Sequence, residues 1–194
     1  MLRAMFVQLN TQNRNRIEES IIAQSGFDGT GNLLIQGDPL DLDTLFNYRY
    51  TFQANDAVDF SVVGGMTLPD MPGAESIRAI YTTTSAEDNE TPFYCNDSVR
   101  EETYVVIFPD TVPIIAIPRS SSFRNAAGEY VVDWTRQGQT VTAVHRLHRA
   151  AVRGPQALCQ PRDYHAFRQL YQQVRRGFRG QIVYGDLSRV QSAQ

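Results

Sequence analysis

Lysine is missing from all 194 residues, so arginine carries every fixed positive charge. The codon bias of a GC-rich genome would be enough to account for this. Long apolar runs are missing too. None approaches the ~20 residues that a membrane-crossing helix needs, which argues against membrane insertion. The first residues, Met1 to Asn10, lack the basic start, apolar stretch and small-residue cleavage site of a signal peptide. The chain is therefore expected to be cytoplasmic, or to be a piece whose targeting segment is gone. Cysteine occurs only twice, at Cys95 and Cys159. That spacing excludes a CxxC motif, and two thiols with three scattered histidines make a poor zinc set. Nothing points to a cofactor.

What is present is ordinary globular material. With 42% hydrophobic and 20% charged residues, disorder is not expected, and the length suits one domain with a helical extension. Charge is unevenly spread: residues 1–118 hold 6 arginines against 17 acids, residues 119–194 hold 12 against 4. Such polarity marks either an anion-binding surface or two halves of one fold that complement each other, and the second reading is preferred. The cysteines are either a reduced, buried pair or one disulfide. A bridge would close a loop of about 64 residues and stabilise the fold by roughly 3–4 kcal/mol.

Local patterns predict a helix from about Asn13 to Ser25, with Ile17 and Ile21 four apart and Glu18 and Glu19 near its positive end. Three glycines between Gly26 and Gly31 predict a turn. Leu33 to Ile35 reads as a strand, and Phe46, Tyr48, Tyr50 and Phe52 alternate as the inner face of another. Residues 56–77 read as irregular, with one short strand from Phe60 to Val63, and Thr83 to Asp97 as a loop. Strands return at Tyr104–Phe108, Val112–Ile117, Tyr130–Trp134 and Thr140–Leu147, the last two joined by a hairpin at Arg136–Gln139. Helical spacing over 161–176 places Tyr164, Phe167, Leu170, Tyr171 and Val174 on one face, with Gly177 as the stop. Gln181 to Tyr184 closes the pattern as a strand. Consecutive strands imply a mainly β fold, an antiparallel β-sandwich (immunoglobulin-like or related) with an N-terminal and a C-terminal helix. The expected division is a helical lead-in over 1–25, a sandwich domain over 26–187 and a frayed tail over 188–194.

Four constellations invite chemistry. Cys95, His145 and Asp163 stand in an order usable for a nucleophilic triad. A reactive thiol needs a helix N-terminus or a nearby cation, however, and Cys95 lies in an acidic, polar stretch that would raise its pKa. His145 and His148, three apart on a strand, face opposite ways and make no metal pair. Arg162, Arg168, Arg175, Arg176 and Arg179 form a basic helix flank. Its aromatics fall on the apolar stripe, where they pack instead of stacking on bases, and with a negative net charge nucleic acid is not an expected partner. The string Gly26 to Gly31 runs from helix to strand, the reverse of a phosphate loop.

Several phrases in order carry a resemblance. They are Gly26-Phe27-Asp28-Gly29-Thr30-Gly31, Asp38-Pro39-Leu40-Asp41-Leu42, Tyr48-Arg49-Tyr50-Thr51-Phe52, Pro92-Phe93-Tyr94-Cys95, Glu102-Thr103-Tyr104, Ile117-Pro118 and Cys159-Gln160-Pro161-Arg162-Asp163-Tyr164. Over about residues 13–185 the chain resembles the C-terminal, β-rich region of large bacterial proteins that also carry a central transglutaminase-like, cysteine-protease-like domain. The glycine-cysteine helix start and the His-Ala-Trp-like strand that hold that domain's nucleophile and base have no counterpart here. The resemblance implies a non-catalytic accessory domain, with an adjacent transglutaminase-like domain or another envelope protein as partner. It also implies export to the periplasm or another extracytoplasmic site. In an oxidising compartment Cys95 and Cys159 become a disulfide candidate. Two other functions stand beside this one: a cysteine hydrolase or acyltransferase using Cys95, and a module binding an anionic cell-envelope polymer through Arg168, Arg175, Arg176 and Arg179.

Overall fold

The computed structural model describes residues 11–24, 28–38, 40–41, 43, 47–55, 58–69, 76–80, 86–150 and 158–186. The chain divides into two compact units, Met1–Val58 and Asp59–Gln194.

In the first unit, helix α1 (Thr11–Gln24) accompanies an antiparallel hairpin of β1 (Asp28–Gln36) and β2 (Asn47–Asn55). The helix is where the sequence put it. Glu18 is not in its first turn, and its carboxylate instead accepts the backbone N–H of buried Leu33 at 2.7 Å, tying helix to hairpin. The turn expected over Gly26–Gly31 is corrected. From Asp28 these residues are strand, with Gly29 opposite Ala54 and Gly31 opposite Phe52, so strand pairing overrides the glycines' local preference. Residues 25–27, Phe46 and the side chains of Tyr48, Tyr50 and Phe52 lie outside the described set, and with them the expected aromatic inner face.

The second unit is built on a four-stranded antiparallel sheet in the order β5 (Ser98–Ile107), β9 (Thr140–Arg149), β8 (Gly128–Gln137), β7 (Ser121–Asn125). Burial alternates residue by residue along β8 and β9, which gives a dry face of Tyr130, Val132, Trp134, Val141, Ala143, His145 and Leu147. The β8–β9 hairpin turns on the expected residues, with Gly138 at φ 59° supplying the left-handed conformation that a two-residue turn needs. Helix α3 (Tyr164–Phe178) covers that face with Phe167, Leu170, Tyr171, Val174 and Phe178. Fully burying each such side chain stabilises the fold by about 1.5–3 kcal/mol. Beyond α3, β11 (Ile182–Tyr184) is the centre of a three-stranded sheet with β3 (Gly64–Met66) and β6 (Ile114–Ala116). Tyr184 joins it to the larger sheet through Phe108 and Phe60. A last pair, β4 (Phe93–Tyr94) with β10 (Leu158–Cys159), flanks the start of α3. The protein is thus mainly β and antiparallel with helices near both ends, as the strand pattern implies.

Local expectations are corrected where short or solvent-edge elements carry little pattern. The strand expected at Phe60–Val63 is a turn followed by β3. The long loop to Asp97 contains β4, and a helical turn α2 (Ile77–Ile80) and strand β7 had no counterpart in the reading. Helix α3 runs past Gly177 to Phe178, because Phe178 gains a stacked contact on His145.

Gly177 is there for space. A Cβ at this position would sit 2.1 Å from the Tyr130 hydroxyl, an atom fixed by its own hydrogen bond to His145. Gly177→Ala should therefore destabilise the unit by about 1–3 kcal/mol, although alanine is the better helix former. A urea midpoint unchanged or raised in this variant would contradict the close approach.

Candidate functional site

The triad candidates Cys95, His145 and Asp163 do not converge. Cys95 and Cys159 are joined in a disulfide with a Cα–Cα distance of 5.7 Å, and both are buried. The bridge fastens the chain after β4 to the end of β10, just before the 3₁₀ turn Pro161–Asp163 that leads into α3. Phe93 on β4 packs edge-on against Tyr164 and Phe167 at centroid distances of 5.6 and 5.5 Å. The clamp thus sets the entry of the helix. Cys95 has no thiolate to offer in this state. Asp163 is occupied at the helix start, where its carboxylate accepts the Gln160 N–H at 3.0 Å.

His145 is in the core. Its ring stacks on Phe178 at 4.1 Å, with Tyr104 and Trp134 edge-on at 5.7 and 6.2 Å. Its Nδ1 lies 2.7 Å from the Tyr130 hydroxyl, and its Nε2 has no hydrogen-bond partner among the described residues. Removal from water disfavours the imidazolium and lowers the His145 pKa to about 4. Burial, and after it the Glu102 charge, raise the Tyr130 phenol well above its usual value. His148 faces the opposite way, exposed, with Nε2 3.2 Å from Asp97, and His165 meets Asp88 at 3.3 Å. Among the described residues no group of three or more His, Cys, Asp or Glu could hold a metal ion.

The charge polarity of the sequence resolves partly into pairs across the two halves. Arg146 bridges Glu101 at 2.6 Å and Asp133 at 2.8 Å on the open face of the large sheet. Arg175, Arg176 and Arg179 are exposed, and Arg168 is half-buried, along the solvent side of α3 and just past its end. The sequence missed a surface pocket of about 400 Å³ beside the disulfide, lined by Phe93, Tyr94, Tyr164, Tyr171, Asn96 and Arg149. Its guanidinium is already engaged by Ser98 Oγ at 2.8 Å and Asn96 Oδ1 at 2.9 Å. No local motif announces this pocket, since its walls come from segments far apart in the sequence.

Fold and geometry together define a disulfide-stapled, mainly β domain whose histidine and cysteines serve packing. The chain belongs to the DUF3858 family, described as a Domain of Unknown Function with solved-structure structure, whose family model matches residues 64–184. That match lies within the second unit, and the family co-occurs with transglutaminase-like cysteine-protease domains in bacterial proteins. No curated protein and no solved structure matches the chain. Among the described residues no helix is long and apolar enough to cross a membrane.

Two measurements follow from this geometry. Thiol titration of unreduced protein, native or denatured, should find no free cysteine, and Cys159→Ser should lose roughly 3–4 kcal/mol of stability. One reactive thiol per cysteine would refute the bridge. The histidine gives a pH dependence. Its pKa is lower in the fold than the ~6.5 of an unfolded chain, so its full contribution is present above about pH 6.5. Stability then declines as pH falls toward about 4, by about 3 kcal/mol in total. Urea denaturation at pH 7 and pH 4 should show this loss in the wild type and a correspondingly shallower one in His145→Phe. Equal losses would mean that other groups carry the acid sensitivity.

Proposed function

We propose that the chain is a non-catalytic accessory domain of a bacterial extracytoplasmic protein that carries a transglutaminase-like domain, which it packs against or orients. The observation that carries this reading is the buried Cys95–Cys159 bridge. It consumes both thiols in a mechanical role, and a disulfide of this kind persists in an oxidising compartment such as the periplasm. Family membership supports the partner class, because DUF3858 domains co-occur with transglutaminase-like domains. His145 supports a structural role as well. A general base must reach its proton, and this imidazole is sealed beneath α3 and held neutral.

The test is a titration of this chain with the transglutaminase-like domain encoded in the same or a neighbouring reading frame. Saturable binding with one copy per partner, together with a rise in the partner's thermal midpoint, is the expected result. Absence of binding at high concentration, or turnover of an activated ester or amide by this chain alone that is lost in Cys95→Ser, would overturn the proposal.

A further inference from the structure

Strand β5 is the outer strand of the four-stranded sheet, and its free side is unusually well prepared for pairing. Phe108, the residue after β5, donates its N–H to the Gln139 carbonyl at 2.9 Å, and the register with β9 then continues without a shift from Ile107–Thr140 to Ser98–Arg149. Opposed residues in an antiparallel ladder alternate between pairs that exchange hydrogen bonds and pairs that do not. The even-numbered residues of β5 therefore bond to β9. The odd-numbered ones, Val99, Glu101, Thr103, Val105 and Ile107, point N–H and C=O away from the sheet. None of the five has a backbone partner among the described residues.

Natural sheets blunt such an edge with lysine, proline, a bulge or an inward charge. This chain has no lysine, and β5 has no proline and no bulge; of these devices it carries the inward charge, at Arg100 and Glu102, and the Glu102 carboxylate is already bonded by the Ile77 N–H and the Tyr104 hydroxyl. Its outward-facing side chains are largely apolar, with Val99 77%, Val105 58% and Ile107 74% exposed. The one charge among the five, Glu101, is already held by Arg146. Helix α2 meets the strand through the inward-facing Glu102, whose carboxylate accepts the Ile77 N–H at 2.5 Å.

We propose that β5 is a dimerisation strand that pairs antiparallel with β5 of a second copy about a two-fold axis at Thr103, which continues the two four-stranded sheets as one. The sequence is complementary to itself in that register. Val99 lies opposite Ile107, Glu101 opposite Val105 and Thr103 opposite its twin, so all five outward-facing residues find hydrogen-bonding partners. On the inner face Arg100 lies opposite Val106 and Glu102 opposite Tyr104, so no like charges are directly opposed. Shifting the axis to residue 101 would set Glu101 against Glu101, and shifting it to residue 102 would set Glu102 against Glu102. Charge therefore permits the Thr103 register and excludes these two. An isologous contact of this kind closes on itself and leaves no second β5 edge to propagate an aggregate. This inference is independent of the accessory role and survives its failure.

Sedimentation equilibrium of the chain should fit a monomer–dimer equilibrium. Thr103→Pro should weaken it at least about tenfold while the fold is kept, since an edge position whose N–H faces solvent tolerates proline. Ile107→Lys should weaken it similarly through charge, with the backbone untouched. In the proposed register the two Thr103 Cα atoms are about 5.5 Å apart, inside the roughly 4.4–6.8 Å span of a disulfide. Thr103→Cys should thus be joined across the axis by a short bifunctional thiol reagent, whereas Val105→Cys, which faces Glu101 of the second copy, should not. A chain still monomeric near 1 mM, or a dimer whose residue-103 cysteine cross-links no better than that at 105, would overturn the proposal.

Discussion

The contact between α3 and the dry face of β8 and β9 is the constraint on which the second unit depends. Phe178 lies flat on His145, and Tyr130 reaches past Gly177 to the same imidazole. Neither sheet nor helix is stable alone. The sheet would leave Tyr130, Val132, Val141 and Leu147 in water, and the helix would expose a whole apolar stripe. Each element is the other's solvent shield. The small three-stranded sheet follows from this, since β11 continues directly from α3 and reaches its place between β3 and β6 only once the helix is seated.

A buried histidine at the centre of such a contact needs a physical reason. The imidazole has the flat shape to stack on Phe178 and an edge that satisfies the Tyr130 hydroxyl, which a phenylalanine would leave unpaired. The arrangement leaves one ring nitrogen, Nε2, unsatisfied among the described residues, and it requires the ring to stay neutral. Polar specificity is thereby placed inside an otherwise aromatic interface. It fixes the rotation of α3, because only one helical phase brings Gly177 over Tyr130 and Phe178 over His145 together.

Much of this was legible in the sequence, and the misses have a common cause. The helix 164–178, the hairpin about Gly138 and the long strands are encoded locally, by a 3.6-residue or two-residue period that repeats over ten or more positions. His145 and His148 were correctly read as facing opposite ways from their spacing alone. What failed was decided by partners distant in sequence. Gly29 and Gly31 are strand because β2 pairs with them. Elements of two to five residues, such as β4, α2 and β7, are too short to show a period and exist through the neighbours they meet. The cysteine pairing followed from family resemblance. The pocket by Arg149 and the open edge of β5 were invisible because neither is a property of one segment.

The bridge and the edge stand in instructive contrast. The staple is placed where the strand pairing is shortest, between two-residue strands β4 and β10 that could not hold each other by hydrogen bonds alone. Loop-closure entropy there is large, and closing it covalently removes most of that cost before folding starts. Strand β5, ten residues long and fully paired on one side, needs no such help, yet among the described residues no strand pairs with its other side. In a chain whose only fixed cation is arginine, guarding an edge by lysine is not an available device. An arginine placed there would bring a planar group able to stack and fork onto neighbours, a poorer repellent than a hydrated ammonium. A free edge in such a protein persists only if something of matching register covers it or if the protein stays dilute. The geometry of β5 meets the first condition with its own sequence.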